Sequence, residues 1–414
     1  MIQVCDAIMG TGKSSAAINY MNEHPEKKFI YVTPYLDEAE RIKNGCPQMH
    51  FVEPSDRLKR YHFKKCEHTA SLIKQGRNIT TTHQAFKRYT SEMLDDIRSN
   101  GYSLLIDENI DILERYDIDS GDVHVLMDSG HLQMSDGVFH PTDKAYTGSL
   151  FSELFRFLEV RDLIQLDSDD KTQLYYWALP PELLTSFENV IIMTYLFRGQ
   201  SLRYMLDMYQ MEYKYIGIQK TGERDYHFGE YPGYTPDYVS HIKDMIHILE
   251  NKRMNAIGDG IHALSMNWFE KDSSDLEQLR NNMNNCINNI WAGTPADKKL
   301  WGSYNGKYNA IKGKGYTKSF LTFNARATNA YKDRTCLVYI ANLFMNVNEK
   351  SFYKKYGIEV DEEMYALSIM LQWIWRSAIR EGQEINIYIP SSRMRTLLLD
   401  WMDKVSKEGN SFGK

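Results

Sequence analysis

The residues whose types and spacing could do chemistry begin at the start of the chain. Ala7-Ile8-Met9-Gly10-Thr11-Gly12-Lys13-Ser14 has the Walker A spacing, with Ala where the first Gly usually stands. Gly10 and Gly12 let the backbone turn so that successive N–H groups point inward, and a helix starting near Lys13 adds its positive end to an anion cradle. In that reading Met9, Gly10, Thr11, Gly12, Lys13, Ser14 and Ser15 surround phosphates, Lys13 supplies a point charge, and the Ser14 hydroxyl is placed to ligate magnesium. A second candidate stands at Tyr102-Ser103-Leu104-Leu105-Ile106-Asp107-Glu108, an apolar run ending in two adjacent carboxylates. This is the Walker B pattern. Asp107 would hold the magnesium through water, and Glu108 would orient and deprotonate an attacking water.

These groups need strands to carry them. Ile2, Val4 and Cys5 form a short apolar strand leading into the loop, and Ser14 to Asn22 reads as the following helix. Lys28 to Val32 is a β-branched and aromatic run stopping at Thr33-Pro34, with a helix from Leu36 to Ile42 after it. Gly76 to Phe86 reads as a strand ending in hydroxyls and then a helix. From about 111 to 182 the pattern changes to two hairpins around a helix at Phe151 to Val160, the first hairpin pairing Val123–Met127 with Leu132–Met134 and the second pairing Leu163–Leu166 with Gln173–Trp177. This reads as an insertion, because a parallel-type run resumes at Val190 to Thr194. The expected architecture is α/β: two tandem P-loop-type domains with parallel sheets, residues 1–205 and 206–414, the second opening with a strand at Tyr213 to Ile218.

Composition narrows the class. At 414 residues two cores are expected, and five scattered cysteines argue for a reducing, cytoplasmic setting without disulfides. Cys46, His62, Cys66 and His68 match no metal-ligand spacing. No basic leader precedes an apolar run and no apolar segment has bilayer length, so no membrane partner is expected. The net charge of -6 hides local clustering: Asn281 to Lys332 carries eight basic residues against one acid, Asp297, a balance of +7. Trp291, Trp301, Tyr304, Tyr308, Tyr316 and Phe320 are interleaved with Lys312, Lys314, Lys318 and Arg326, the composition of a groove that follows phosphates and stacks bases. Further on, a helix is expected from Glu362 to Glu381, placing Gln372, Arg376 and Arg380 at i, i+4 and i+8 on one face.

Taken together the motifs resemble superfamily 2 helicases and translocases of the DEAD/DEAH-like type, in particular compact bacteriophage-encoded members, over nearly the whole chain. Ala7–Ser14 is similar to motif I, Val32-Thr33-Pro34 to motif Ia, Thr80-Thr81-Thr82-His83 to the later strand-contacting motif, Asp107-Glu108 to motif II, Met193-Thr194 to motif III, and Gln372, Arg376 and Arg380 to motif VI; Asn324–Asn329, with Asp333, is loosely like motif V. The resemblance implies two RecA-like domains, ATP and Mg2+ in the cleft between them, and a nucleic-acid strand touching Thr33, Pro34, Thr81, Thr82, His83 and Arg326. It implies a coupling role for Thr194 and an arginine finger at Arg376 or Arg380. Single-stranded DNA, with a duplex junction as a further substrate, is the expected partner of a monomer in the cytoplasm, that of the host for a phage-encoded chain. Three departures stand out: the first strand starts too early for the usual upstream adenine-reading motif, motif III reads Thr194-Tyr195-Leu196, and three residues rather than two separate the motif VI arginines. A phage DNA-packaging motor and an ATP-gated nucleic-acid clamp are the rival expectations.

Overall fold

The computed structural model describes residues 1–34, 36–57, 64–167, 173–270, 274–323 and 329–412. Its chain forms two compact units. The first comprises Met1–Asp6, Lys13–Tyr231 and Asn346–Val360, the second Ala7–Gly12, Pro232–Met345 and Asp361–Lys414.

The first unit starts with β1 (Ile2–Asp6), α1 (Lys13–Glu23), β2 (Lys28–Thr33), α2 (Leu36–Gly45), α3 (Lys65–Lys74), β3 (Ile79–Thr82), α4 (His83–Phe86), α5 (Ser91–Asn100) and β4 (Tyr102–Asp107). Continuous apolar runs make strands covered on both faces: Phe29 to Val32 and Leu104 to Ile106 have no exposed surface. Hydroxyls start the short helices. Thr82 Oγ1 accepts from Ala85 N at 3.3 Å and Thr90 Oγ1 from Met93 N at 3.4 Å, and Gly101 ends α5 at φ 66.

The segment after β4 folds as a separate antiparallel sheet, built from β5 (Leu113–Tyr116), α6 (Ser120–Asp128), β6 (Leu132–Ser135), β7 (Val138–Pro141), α7 (Ser152–Leu158), β8 (Asp162–Asp167) and β9 (Gln173–Ala178), in the order β5-β9-β8-β7-β6. The insertion is therefore hairpin-rich, with one correction: Val123 to Met127 is the helix α6, not a strand. Asp119 caps it at Gly121 N, and Val123 and Leu126, three apart, bury together with Phe139, Leu163 and Trp177 while Val125 faces solvent. A helical burial period outweighs the β-branched composition.

The parallel pattern resumes with α8 (Glu182–Thr185), β10 (Asn189–Thr194), α9 (Ser201–Met208), β11 (Tyr213–Lys220) and β12 (Tyr226–Gly229). The main sheet runs β12-β11-β1-β10-β4-β2-β3, parallel except for β12. Here the expected start of the second domain fails. β11 pairs in parallel with β1, Ile2 opposite Tyr213 to Cys5 opposite Ile216, so it completes the first sheet.

In the second unit α10 (Ile242–Met245), β13 (Ile246–Ile248), α11 (Lys252–Asn255), α12 (Ser274–Asn285), β14 (Lys299–Gly302), α13 (Tyr308–Ile311) and β15 (Cys336–Tyr339) come before α14 (Val347–Lys355), which belongs to the first unit. Then α15 (Glu362–Ile374), β16 (Ile385–Tyr388) and α16 (Ser392–Glu408) complete it. Its sheet, β13-β16-β15-β14, is entirely parallel. His262 to Ser265 is a turn with Leu264 at φ 62, held by Asn342 Nδ2 donating to Ile261 O at 2.8 Å and Ala263 O at 3.1 Å. The β-type composition of Phe320 to Phe323 yields one bridge among the described residues, between Phe320 and Trp301. Among the described residues no helix is long and apolar enough to cross a membrane.

Candidate active site

Strand register brings the motif residues to one edge. Asp6 lies opposite Thr194, Met193 opposite Asp107, Ile106 opposite Val32, and Thr33 opposite Thr82. All five carboxyl ends of these parallel strands therefore end together, the edge where open α/β sheets bind ligands. β10 stands between β1 and β4, so at about 4.8 Å per strand the exit of β1 into the loop is about 10 Å from Asp107.

Gly10 and Gly12 take φ 86 and φ 93, conformations that L side chains rarely adopt, and the helix begins at Lys13. Thr11 is buried and turns inward, its Oγ1 donating to Ile8 O at 2.8 Å. Within the second unit Ile8 N donates to Asn410 Oδ1 at 2.9 Å and Tyr238 OH donates to Met9 O at 3.3 Å. Lys13 itself is buried, and its charge is one of those that favour the ionised Asp107 carboxyl.

Asp107, the last residue of β4, is also buried. Burial first, then the charges of Glu108 and Glu38, push its carboxyl well above the usual range, against Lys13 and Arg41. Glu108 leaves the strand at φ 66 with its N–H on Met193 O at 2.9 Å. A left-handed backbone at a non-glycine residue costs about 1–2 kcal/mol and turns the side chain out of the strand direction. His83 holds the same corner: its Nε2 lies 2.8 Å from Asp107 O.

Sequence reading missed four members of this site. Asp6 is buried at the end of β1, and its two carboxylate oxygens accept Leu196 N at 2.8 Å and Phe197 N at 3.0 Å, fixing the turn after Thr194. Tyr31 is fully buried beside Ser14, Asp107 and Glu38, its hydroxyl pushed up by burial and then by Asp107. Glu38 and Arg41 on α2 pair at 3.2 Å, and Arg41 Nη2 donates to Ser15 Oγ at 3.0 Å. For Asp6 the signal was its place one residue before the loop; an i, i+3 pair like Glu38 and Arg41 carries none.

A relative spans almost all of this arrangement. The chain is 34% identical over 419 residues to the SPbeta prophage-derived uncharacterized protein YonV of Bacillus subtilis (strain 168), covering 97% of this chain and 98% of that one. The chain belongs to the YonV family. The family model described as the YonV C-terminal Rossmann-like domain matches residues 240–402, which hold the whole parallel sheet of the second unit. Among solved structures the chain is similar to S. tokodaii Xpd4 (TM-score 0.48, 96% of this chain and 93% of that chain) and to one described as XPD_Helicase (TM-score 0.44, 96% and 94%), each at 11% identity.

The remaining motif residues of this YonV-family chain are placed less as expected. Thr194 Oγ1 and Gln200 Oε1 lie 2.9 Å apart, and Gln200 Nε2 donates to Tyr195 O at 2.8 Å. Thr33 and Thr81 are buried, Thr82 caps α4, and His83 is engaged at Asp107. Thr33, Thr81 and His83 are thus enclosed at the sheet edge, whereas Pro34 and Thr82 are partly exposed.

The basic aromatic stretch divides in the same way. Trp291, Trp301 and Tyr316 are core residues of the second unit, with Tyr316 OH donating to Ile311 O at 2.9 Å and Trp301 Nε1 to Tyr316 O at 2.8 Å. Tyr316 is thus not a stacking platform. Lys312, Lys314 and Lys318 are exposed, and Arg326 lies outside the described residues.

The motif VI stripe is not one helix. α15 stops at Ile374, Ser377 is extended at φ -91 and ψ -170, and Ala378 N turns to Arg334 O at 2.9 Å. Gln372 stays on α15, Arg376 follows its end, and Arg380 sits exposed on a 3-10 turn. Of the cysteine–histidine set, Cys46 is buried against Ile18 O, His68 Nδ1 accepts Ser55 N at 3.0 Å, and His62 lies outside the described residues. Among the described residues no group of three or more His, Cys, Asp or Glu could hold a metal.

Proposed function

We propose that this chain is a nucleic-acid-stimulated ATPase that moves along, or unwinds, DNA. One observation carries the reading: within the first unit the parallel sheet ends β1, which leads into the Walker A spacing, and β4, which ends in an adjacent carboxylate pair, at one edge, with the Lys13 charge acting on Asp107. The backbone N–H groups of Met9 to Ser14 and the start of α1 receive the phosphates, and Lys13 neutralises the outer ones. A hydroxyl at Ser14 and the Asp107 carboxyl, which burial, Glu108 and Glu38 disfavour in its charged form, suit a magnesium ion held mainly by phosphates and water. Ser14 would hold that ion directly and Asp107 through water, and the bound ion supplies charge neutralisation at the phosphates.

Glu108, turned out of its strand, orients and deprotonates the attacking water. Asp6, one residue before the loop, and the Thr194–Gln200 bond fix the turn at 195–197, a route by which the state of the phosphates reaches that turn. Arg376 or Arg380 acts as the finger that stabilises charge on the transferring phosphoryl. Exposed Lys312, Lys314 and Lys318 bind the strand's phosphates by charge.

The test is ATP hydrolysis with and without single-stranded DNA, single-stranded RNA and duplex. Lys13→Ala should lose nucleotide binding. Glu108→Gln should keep nucleotide binding and lose about 10²–10⁴ in rate, because it acts only on the water. Native turnover by Glu108→Gln, or no response to any nucleic acid, refutes the reading.

A further inference from the structure

A second site lies in the first unit, away from the phosphate loop. At the carboxyl end of β3, a cavity of about 830 Å³ opens between the core helices α3, α4 and α5 and the insertion helix α7. Four cations line it, Lys64, Lys65, Arg88 and Arg156, against one acid, Glu153. They come from three elements far apart in sequence, so only the fold assembles them. Their fields converge: burial raises the Cys66 thiol, and Arg156, Arg88 and Lys64 each act to lower it.

The existing partners are weak. Arg156 meets Glu153 at 3.6 Å and Lys64 meets Glu67 at 3.2 Å, both i, i+3 surface pairs, Lys65 reaches Glu53 only at 3.9 Å, and Arg88 makes no ion pair among the described residues. Between the cations the wall is apolar or neutral, with Ala85 and Met93 beside Thr82 and Gln84. Cations spread along an open cavity, with apolar wall between them, suit a chain of phosphates carrying bases better than one compact anion.

We propose that this cavity binds the phosphodiester backbone of single-stranded nucleic acid, with Lys64, Lys65, Arg88 and Arg156 on the phosphates and α7 as the outer wall. The proposal rests on the reading of the chain as a nucleic-acid-stimulated ATPase. It gives the inserted sheet a task, and it places the strand at the sheet edge that bears Asp107, through Thr82 opposite Thr33.

The test uses the full chain and a fluorescein-labelled oligothymidylate without nucleotide. Two phosphates lost should lower the salt slope of Arg88→Ala/Arg156→Ala by about 1.4, at about 0.7 each, and weaken binding about tenfold at low salt. Arg156→Glu reverses the charge at an exposed position and should weaken binding as well. Cys66 gives an independent readout, being part-buried in the cavity while Cys5, Cys46, Cys286 and Cys336 are buried. The oligonucleotide should slow maleimide modification of Cys66 several-fold. Parent-like binding and salt slope in both variants, with Cys66 modified equally fast in the complex, overturns the site alone. A parent that neither binds the oligonucleotide nor raises its ATPase with it overturns the functional reading as well.

Discussion

Replacing Asp6 isolates the contribution of a single buried carboxylate at the candidate site. Its oxygens accept two backbone donors, Leu196 N at 2.8 Å and Phe197 N at 3.0 Å, and the residue is only 3% exposed. Asp6→Ala leaves both N–H groups buried without an acceptor, at about 1–3 kcal/mol each, so about 4 kcal/mol is expected. Leu196 sits at φ 59, and without its anchor the turn has reason to relax out of that strained conformation. Asp6→Asn keeps one acceptor oxygen and should cost about half as much, about 2 kcal/mol. Hydrogen exchange of a peptide spanning 194–200 reads the effect locally: about 4 kcal/mol corresponds to roughly a thousandfold faster exchange, at about 1.4 kcal/mol per decade. Urea unfolding gives the global figure. If Asp6→Ala exchanges at the parent rate in this peptide and its urea midpoint does not move, Asp6 does not hold the turn, and the route from the loop to the strand exit after Thr194 falls with it.

Other expectations follow from burial. Tyr316→Ala should cost about 3–5 kcal/mol in urea unfolding, because it empties a core position under Trp301, whereas Lys312→Ala/Lys314→Ala/Lys318→Ala should leave folding intact and lower the single-strand salt slope by about 2; a normally stable Tyr316→Ala that binds nucleic acid poorly would restore the ring as a stacking platform. Glu349 on α14 is pushed up to about 7 by burial and then by Asp111, against Lys87. The folded form therefore binds a proton that the unfolded form has released, so stability is greatest below the ordinary glutamate range and falls as pH rises to about 7, by at most about 3 kcal/mol. Glu349→Gln should flatten that fall in pH-dependent urea unfolding, and an unchanged pH profile would count against the buried carboxyl.

Local rules made the edge that carries the candidate site legible. The loop spacing from Ala7 to Ser14 encodes two glycines at positive φ and a helix start, and the apolar run ending in Asp107-Glu108 encodes a buried parallel strand with its chemistry at the exit. Each lies within one stretch of a few residues, so backbone sterics and burial suffice to read it. The hairpin of β8 and β9 was legible for the same reason.

Tertiary structure decided the rest, because the deciding partner lies far along the chain. β11 reads as a strand in either unit until it pairs with β1, more than two hundred residues earlier. Composition counts Trp301 and Tyr316 as rings among lysines, but the packing against Ile311 and Val338 determines that they face a core and not a strand of nucleic acid. Helical spacing carries Arg376 and Arg380 onto the stripe of Gln372 only while the helix continues, and the bond from Ala378 N to Arg334 O turns the chain away. The cations around Cys66 are spaced without pattern in sequence and converge only when α7 of the insertion closes against α3 and α4. Charge and aromatic content are sums over a segment, whereas a site depends on which side chains the fold leaves facing one another.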